Sequence, residues 1–214
     1  MKFIHKTPTP SFFLEETEGL TQWNEYTHKR NLKKHILTYE QNGLCCYCES
    51  YVTLDNSHIE HLQPKSLNPE TLTFDYTNLA VSCQGKCHTN GNQPATCGHK
   101  KGNDFDSTRF LNPTTVENIR AYFEYTTHGE ITASALDESK AHYTMSLLQL
   151  NASENALPQA RLTALEQFRQ SIRENAKKTK RDIKTVALSL LNKENLAFIS
   201  FLRFTYHSLL TSRP

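Results

Sequence analysis

The sequence predicts an α+β protein that is mostly α, with a small cysteine-bound core, an N-terminal helix before it and a C-terminal helical region after it. Three observations predict this. All six cysteines lie between Cys45 and Cys97, in a stretch of short apolar runs and polar turns. Before it, apolar residues from Leu20 to Gln41 recur near helical spacing. Beyond Asp137 the helical pattern returns and runs to Leu210. A chain of 214 residues can bury a real core without disulfide staples. The composition changes after Asp104, which divides the chain into two parts. Residues 1–105 hold the arm, helix and cysteine core. Residues 106–214 hold a small β-hairpin and the helical region, where a partner could dock.

Charge sets limits. The net charge is +2, too small to mark a self-sufficient nucleic-acid binder. Residues 1–105 carry 10 Lys and Arg against 11 Asp and Glu, so the basic excess lies in the second half. A protein acting on nucleic acid with so little positive charge would borrow affinity from a partner, because phosphate neutralisation supplies most non-specific binding. The stretch Met1 to Lys6 lacks the long apolar region of a signal peptide. The most apolar segment, Leu196 to Phe204, is too short to span a membrane. A cytoplasmic, reducing location is therefore expected, where clustered cysteines point to metal more than to disulfides.

In chain order, residues 1–13 read as an extended arm with Pro8 and Pro10, docked in part through Phe3, Ile4, Phe12 and Phe13. A helix over Leu20 to Gln41 stops at Gly43. Tyr51 to Leu54 and Ser57 to Leu62 read as a hairpin about Asp55-Asn56, with Glu60 and His61 near its end. Residues 64–75 and 84–96 are polar loops, Asn78 to Ser82 is a short apolar run, and Gly98 to Asn103 opens a last helix. Asn112 to Thr115 is a turn. Asn118 to Tyr125 pairs as a strand with Glu130 to Thr132 about His128-Gly129. Helices follow, with Leu162, Leu165, Phe168 and Ile172 on one apolar face, and Pro158 separates two of them.

Cys45 and Cys48 have the spacing of a thiolate knuckle, and a tetrahedral zinc site needs two more ligands. Cys83 and Cys97 are the natural second pair. Cys87 rivals Cys97, and Cys46 reads as an incidental buried thiol. Glu60-His61 joins a carboxylate, a ligand for a hard ion such as Mg²⁺, to a base that titrates near neutrality. Water attacking a phosphodiester must lose a proton to such a base, and a divalent ion stabilises the leaving oxygen. Adjacent strand residues point to opposite faces, so the pair shares one site only if the strand ends or twists there, as Pro64 allows. His58 lies on the strand face of Glu60; it could be a ligand, and an ordinary strand histidine is the simpler reading. Lys177, Lys178, Lys180, Arg181 and Lys184 read either as a solvated helix face or as a contact to nucleic acid or an acidic partner. The aromatic stretch from Phe198 to Leu209 reads as core, with a partner-binding helix as the alternative.

The ordered set Cys45-Cys46-Tyr47-Cys48, Ile59-Glu60-His61-Leu62-Gln63-Pro64-Lys65-Ser66, Asn78 to Cys83 and Cys97-Gly98-His99-Lys100-Lys101-Gly102 resembles the HNH, or ββα-metal, nuclease motif with a zinc knuckle around it. The chain as a whole resembles the PtuB-like HNH endonucleases of retron and Septu-type anti-phage systems. Phe123-Glu124-Tyr125, His128 to Ile131 and Leu148 to Asn151 extend the likeness. The resemblance implies a ββα-metal core and a DNA-cleaving toxic effector. His61 would be the general base, Asn78 the structural Asn that ties its loop, and Glu60 and His99 the ligands of a catalytic Mg²⁺ or Mn²⁺. Cys45, Cys48, Cys83 and Cys97 would hold a structural Zn²⁺. Lys65, Lys100 and Lys101 would meet nucleic acid. The insertion between Cys83 and Cys97 leaves Cys87 and His88 as rivals to Cys97 and His99. The implied partners are an ABC-type ATPase (PtuA-like) that controls the nuclease and, in retrons, a reverse transcriptase with its RNA–DNA hybrid. The alternatives are the same nuclease acting on RNA such as tRNA, and a non-catalytic zinc-knuckle module.

Overall fold

The structure is a computed structural model that describes residues 1–85, 96–152 and 156–211. Its first sheet pairs β1 (Ser57–His61) with β2 (Leu79–Cys83), antiparallel, with Ser57 opposite Cys83, Ile59 opposite Val81 and His61 opposite Leu79. β2 reads Leu-Ala-Val-Ser-Cys and is buried through Ser82, as its unbroken apolar run requires. Helix α2 (Lys29–Tyr39) packs on it and buries Leu32, Ile36 and Leu37. The outer edge of β2 is closed by a side chain. Gln41 Oε1 accepts the Val81 N–H at 2.7 Å, and Gln41 Nε2 donates to the Val81 carbonyl at 2.8 Å. Each buried backbone group left unpaired would cost about 1–3 kcal/mol, so Gln41 stands in for a third strand.

The hairpin expected over residues 51–62 does not form. Asn56 Oδ1 accepts the Thr53 N–H at 2.6 Å, and the Ser57 hydroxyl donates to the Thr53 carbonyl, so the corner closes on itself. Tyr51 keeps one bridge, to Leu44, and β1 takes its partner from beyond the 64–75 loop. That loop carries a helical turn, α3 (Pro69–Leu72). The expected helix over Leu20 to Gln41 is half realised. Residues 20–28 are irregular because Trp23 and Tyr26 turn inward, onto Phe74 and Phe13 respectively. The N-terminal arm docks as expected: Met1 and Ile4 are buried, and the Ile4 N–H donates to the Pro113 carbonyl at 2.8 Å. Its end is helical, α1 (Ser11–Thr17), and buries Phe13. Gly43, at φ +73°, turns the chain after α2. Helix α4 (Cys97–Lys101) lies against β2.

In the second half a 3₁₀ turn at Ile119–Tyr122 replaces most of the expected strand, leaving β3 (Phe123–Tyr125) to pair with β4 (Ile131–Ala133). Asn151 extends that sheet, accepting the Ile131 N–H at 2.9 Å and donating to the Ile131 carbonyl at 2.6 Å. The buried Arg161 donates to the carbonyls of Gly129 and Leu150, so segments 128–131 and 148–151 meet in space. Asp137 caps α5 (Glu138–Leu148) by accepting the Lys140 N–H at 3.0 Å. The long α6 (Leu157–Thr179) buries the expected Leu165, Phe168 and Ile172, with Pro158 in its first turn. Then come α7 (Ile183–Leu191), α8 (Ile199–Thr205) and α9 (His207–Thr211). Phe198, Phe201 and Leu202 are core, while Lys177, Lys178, Lys180 and Arg181 are exposed. The helical region packs back on the cysteine turn: the Phe198 N–H donates to the Glu49 carbonyl at 2.9 Å and the Ser200 N–H to the Glu49 carboxylate at 2.8 Å. The result is a mostly helical α+β arrangement with two small sheets. Among the described residues no helix is long and apolar enough to cross a membrane.

Candidate metal centre and active site

Cys45 and Cys48 lie on the tight turn between α2 and β1. The Glu49 N–H donates to the Cys45 carbonyl at 3.1 Å, and Glu49 itself, at φ +63°, carries the chain away. Cys83 ends β2 and Cys97 opens α4. These four residues bring their sulfurs within 4.8 Å of one another. The Cys48–Cys83 sulfur distance is 3.9 Å, and thiolates about 2.3 Å from a tetrahedral zinc stand about 3.8 Å apart. The Cys83 N–H donates to Cys45 Sγ at 3.3 Å. Burial opposes ionisation of Cys45, yet the surrounding thiols that hydrogen-bond to it hold its pKa well below the ordinary thiol value. The same bonds to Cys45 raise Cys83 and Cys97. A bound divalent cation is what lets such a set ionise together, so the donors fit a metal ion. Cys46 is buried beside them, its side chain hydrogen-bonded to Cys45 and its N–H on the Val81 carbonyl, and is not one of the four gathered sulfurs. Cys87 and His88 lie outside the described residues.

Glu60 and His61 end β1 and face different neighbours. Glu60 Oε1 accepts from the Tyr47 hydroxyl at 3.0 Å and pairs with Lys101 Nζ at 3.0 Å. Its Oε2 lies 3.3 Å from His58 Nε2. Burial pushes the Glu60 pKa up, but the His58 hydrogen bond and the Lys101 charge more than offset it, so the carboxylate is ionised. Tyr47 is raised by burial and keeps its proton to donate. His61 Nε2 lies 3.0 Å from the Thr73 carbonyl, and its ring meets Trp23 edge-on at 4.7 Å between centres. A carbonyl only accepts, so Nε2 carries the hydrogen and Nδ1 of the neutral ring holds the lone pair. Burial is the main cause that lowers the His61 pKa, with Lys65 and Lys101 adding to it against Thr73 and Glu60. Lys101 links the two residues, since its Nζ also donates to the His61 carbonyl at 3.2 Å.

The other expected residues fall as follows. Asn78 is buried and pins the loop after His61 through the backbone of Gln63 and the carbonyl of Leu72. His99 is exposed on α4, with its ring centre 4.2 Å from that of His58. Among the described residues no second group of three Cys, His, Asp or Glu ligands gathers within 4.8 Å. Lys100 is exposed. The phosphate contact expected at Lys101 needs correcting: that side chain is 1% exposed and its ammonium is taken up by Glu60. Lys65 is exposed and lines a groove of about 600 Å³ with Trp23, Lys29 and Thr73. Trp23, Tyr47 and His58 join this site beyond the residues expected there. Tyr47 sits inside the Cys-Cys-Tyr-Cys turn, and His58 shares the strand face of Glu60, so both had a local signal.

No family model matches the chain. A curated protein named "Retron Vc95 putative HNH endonuclease", from Vibrio cholerae serotype O1 biovar El Tor, is 33% identical to it over 117 residues. The match covers 52% of this chain and 53% of that protein, so the chain spans about half the length of the curated relative it matches.

Proposed function

We propose that this chain is a metal-dependent HNH endonuclease that hydrolyses phosphodiester bonds in DNA, acting as the toxic effector of a retron or Septu-type anti-phage complex in the cytoplasm. The observation that carries the reading is His61, fixed by the Thr73 carbonyl so that Nδ1 is its basic nitrogen, beside an ionised Glu60 and a loop pinned by Asn78. The likeness to a retron nuclease over half its length supports it.

Water attacks phosphorus, its proton passes to His61 Nδ1, and the bond to the leaving oxygen breaks. A low pKa suits this step, because the ring stays neutral and able to accept a proton at ordinary pH. Trp23 and Thr73 hold the ring in place. Glu60, with a histidine beside it, would hold Mg²⁺ or Mn²⁺, which when bound supplies positive charge to the leaving oxygen. Cys45, Cys48, Cys83 and Cys97 would hold a structural Zn²⁺, which when bound would tie β2 and α4 to the turn before β1. Lys65 and Lys29 meet phosphates in the groove beside His61. The net charge of +2 supports dependence on a partner, here a PtuA-like ABC-type ATPase and, in a retron, a reverse transcriptase with its RNA–DNA hybrid.

The test pairs wild type with His61→Ala, each co-expressed with the neighbouring ATPase and incubated with Mg²⁺, plasmid DNA and total RNA. DNA loss with wild type alone is the expected result. RNA loss that needs His61 keeps the nuclease and changes its substrate. Equal cleavage by both proteins overturns the reading.

A further inference from the structure

We infer that His58, rather than His99, completes the divalent-ion site with Glu60. The inference rests on the nuclease reading of Glu60 given above. His58 Nε2 and Glu60 Oε2 are 3.3 Å apart, longer than the roughly 2.7–2.9 Å of a good charge-assisted hydrogen bond. Two adjacent donors each about 2.1 Å from one octahedral Mg²⁺ or Mn²⁺ stand about 3.0 Å apart. The pair therefore makes only a long hydrogen bond, at a separation close to that of two adjacent ligands of one ion. His58 Nδ1 is buried and has no hydrogen-bond partner, so no second hydrogen bond fixes the ring as a purely structural histidine.

Gly98 gives the clearest sign. A Cβ at this position would come within 2.3 Å of Glu60 Oε2 and 2.7 Å of His58 Nε2. Any side chain here would crowd both donor atoms, so only a glycine lets α4 stand this close to Glu60 and His58 without covering them. His99, one residue on, is exposed and stands against the His58 ring without bringing a third ligand atom into a set within 4.8 Å. His58 itself lines a groove of about 280 Å³ with Trp23, Lys29 and Lys33. His58 and Glu60 alternate along β1 on one face, so the strand presents the pair as a unit.

The test titrates Mn²⁺ into the zinc-loaded full chain without nucleic acid and reads the loss of the free-ion electron paramagnetic resonance signal. Zinc content and circular dichroism establish that each variant is folded. Weakening of roughly 10- to 100-fold is expected for His58→Ala and for Glu60→Gln, with His99→Ala within threefold of wild type. Gly98→Ala should weaken binding to a similar degree with both ligands present, and it carries the test if His58→Ala does not fold. Unchanged binding by folded His58→Ala, or a loss in His99→Ala equal to that in His58→Ala, overturns the assignment alone. If Glu60→Gln also binds like wild type, the ion site fails and the mechanism built on Glu60 fails with it.

Discussion

Asn78 grips both backbone groups of Gln63: its Oδ1 accepts the Gln63 N–H at 2.7 Å and its Nδ2 donates to the Gln63 carbonyl at 2.9 Å. The same Nδ2 reaches the Leu72 carbonyl at 3.3 Å, so one side chain spans the loop that leads from His61 to Thr73. Asn78→Ala should destabilise the fold by about 2–3 kcal/mol and release His61 from Thr73. Urea denaturation and hydrogen exchange at the Gln63 amide measure this. Exchange as slow as in wild type would show that the clasp does not hold the loop. Asn78→Asp keeps the acceptor and loses the donor, so it should fall between the two.

Lys100 and Lys101 are neighbours with opposite fates. Lys101 is buried with its ammonium on Glu60 and on the His61 carbonyl, while Lys100 is exposed. Lys101→Ala leaves a buried carboxylate without its cation and should cost about 3–5 kcal/mol. Lys100→Ala should stay within about 0.5 kcal/mol of wild type. Equal denaturation midpoints for the two variants would refute the buried pair.

Metal content separates the rival thiols. Cys48→Ser and Cys97→Ser should each lose zinc and lower the melting temperature, whereas Cys46→Ser and Cys87→Ser should retain one zinc per chain. Elemental analysis of purified protein decides it, and zinc loss from Cys87→Ser would count against Cys97 as the fourth ligand.

Lys29 and Lys65 line the groove beside Trp23. In a His61→Ala background, where substrate stays intact, replacing either with Ala should weaken DNA binding and reduce the salt slope by about one phosphate contact. Fluorescence anisotropy across a salt series reads this, and an unchanged slope would remove the residue from the DNA path.

Local spacing made part of this protein legible. The Cys45/Cys48 turn and the apolar face of α6 each depend on residues a few positions apart, while Asn78, whose partner Gln63 lies 15 residues away, is legible only through the HNH resemblance. The pairing of β1 with β2 was not, because Ser57–His61 is equally strand-like beside Tyr51, and only the Thr53–Asn56 corner and the closed Gln41 edge select the more distant partner. The surroundings of Glu60 were equally hidden. Tyr47 and Lys101 come from a turn and a helix, and nothing in their spacing says that they join His58 on one carboxylate. Trp23 fell on an apparent helical stripe, but its large ring is better accommodated by turning to Phe74 and His61 than by continuing a helix.

Trp23 is also the single tryptophan in the chain. Indole emission from this protein therefore comes from one place, a ring in contact with the candidate base and at the edge of the candidate DNA groove. The molecule carries its own optical gauge. Intrinsic fluorescence, with no label attached, reads local events at His61 separately from changes elsewhere in the fold.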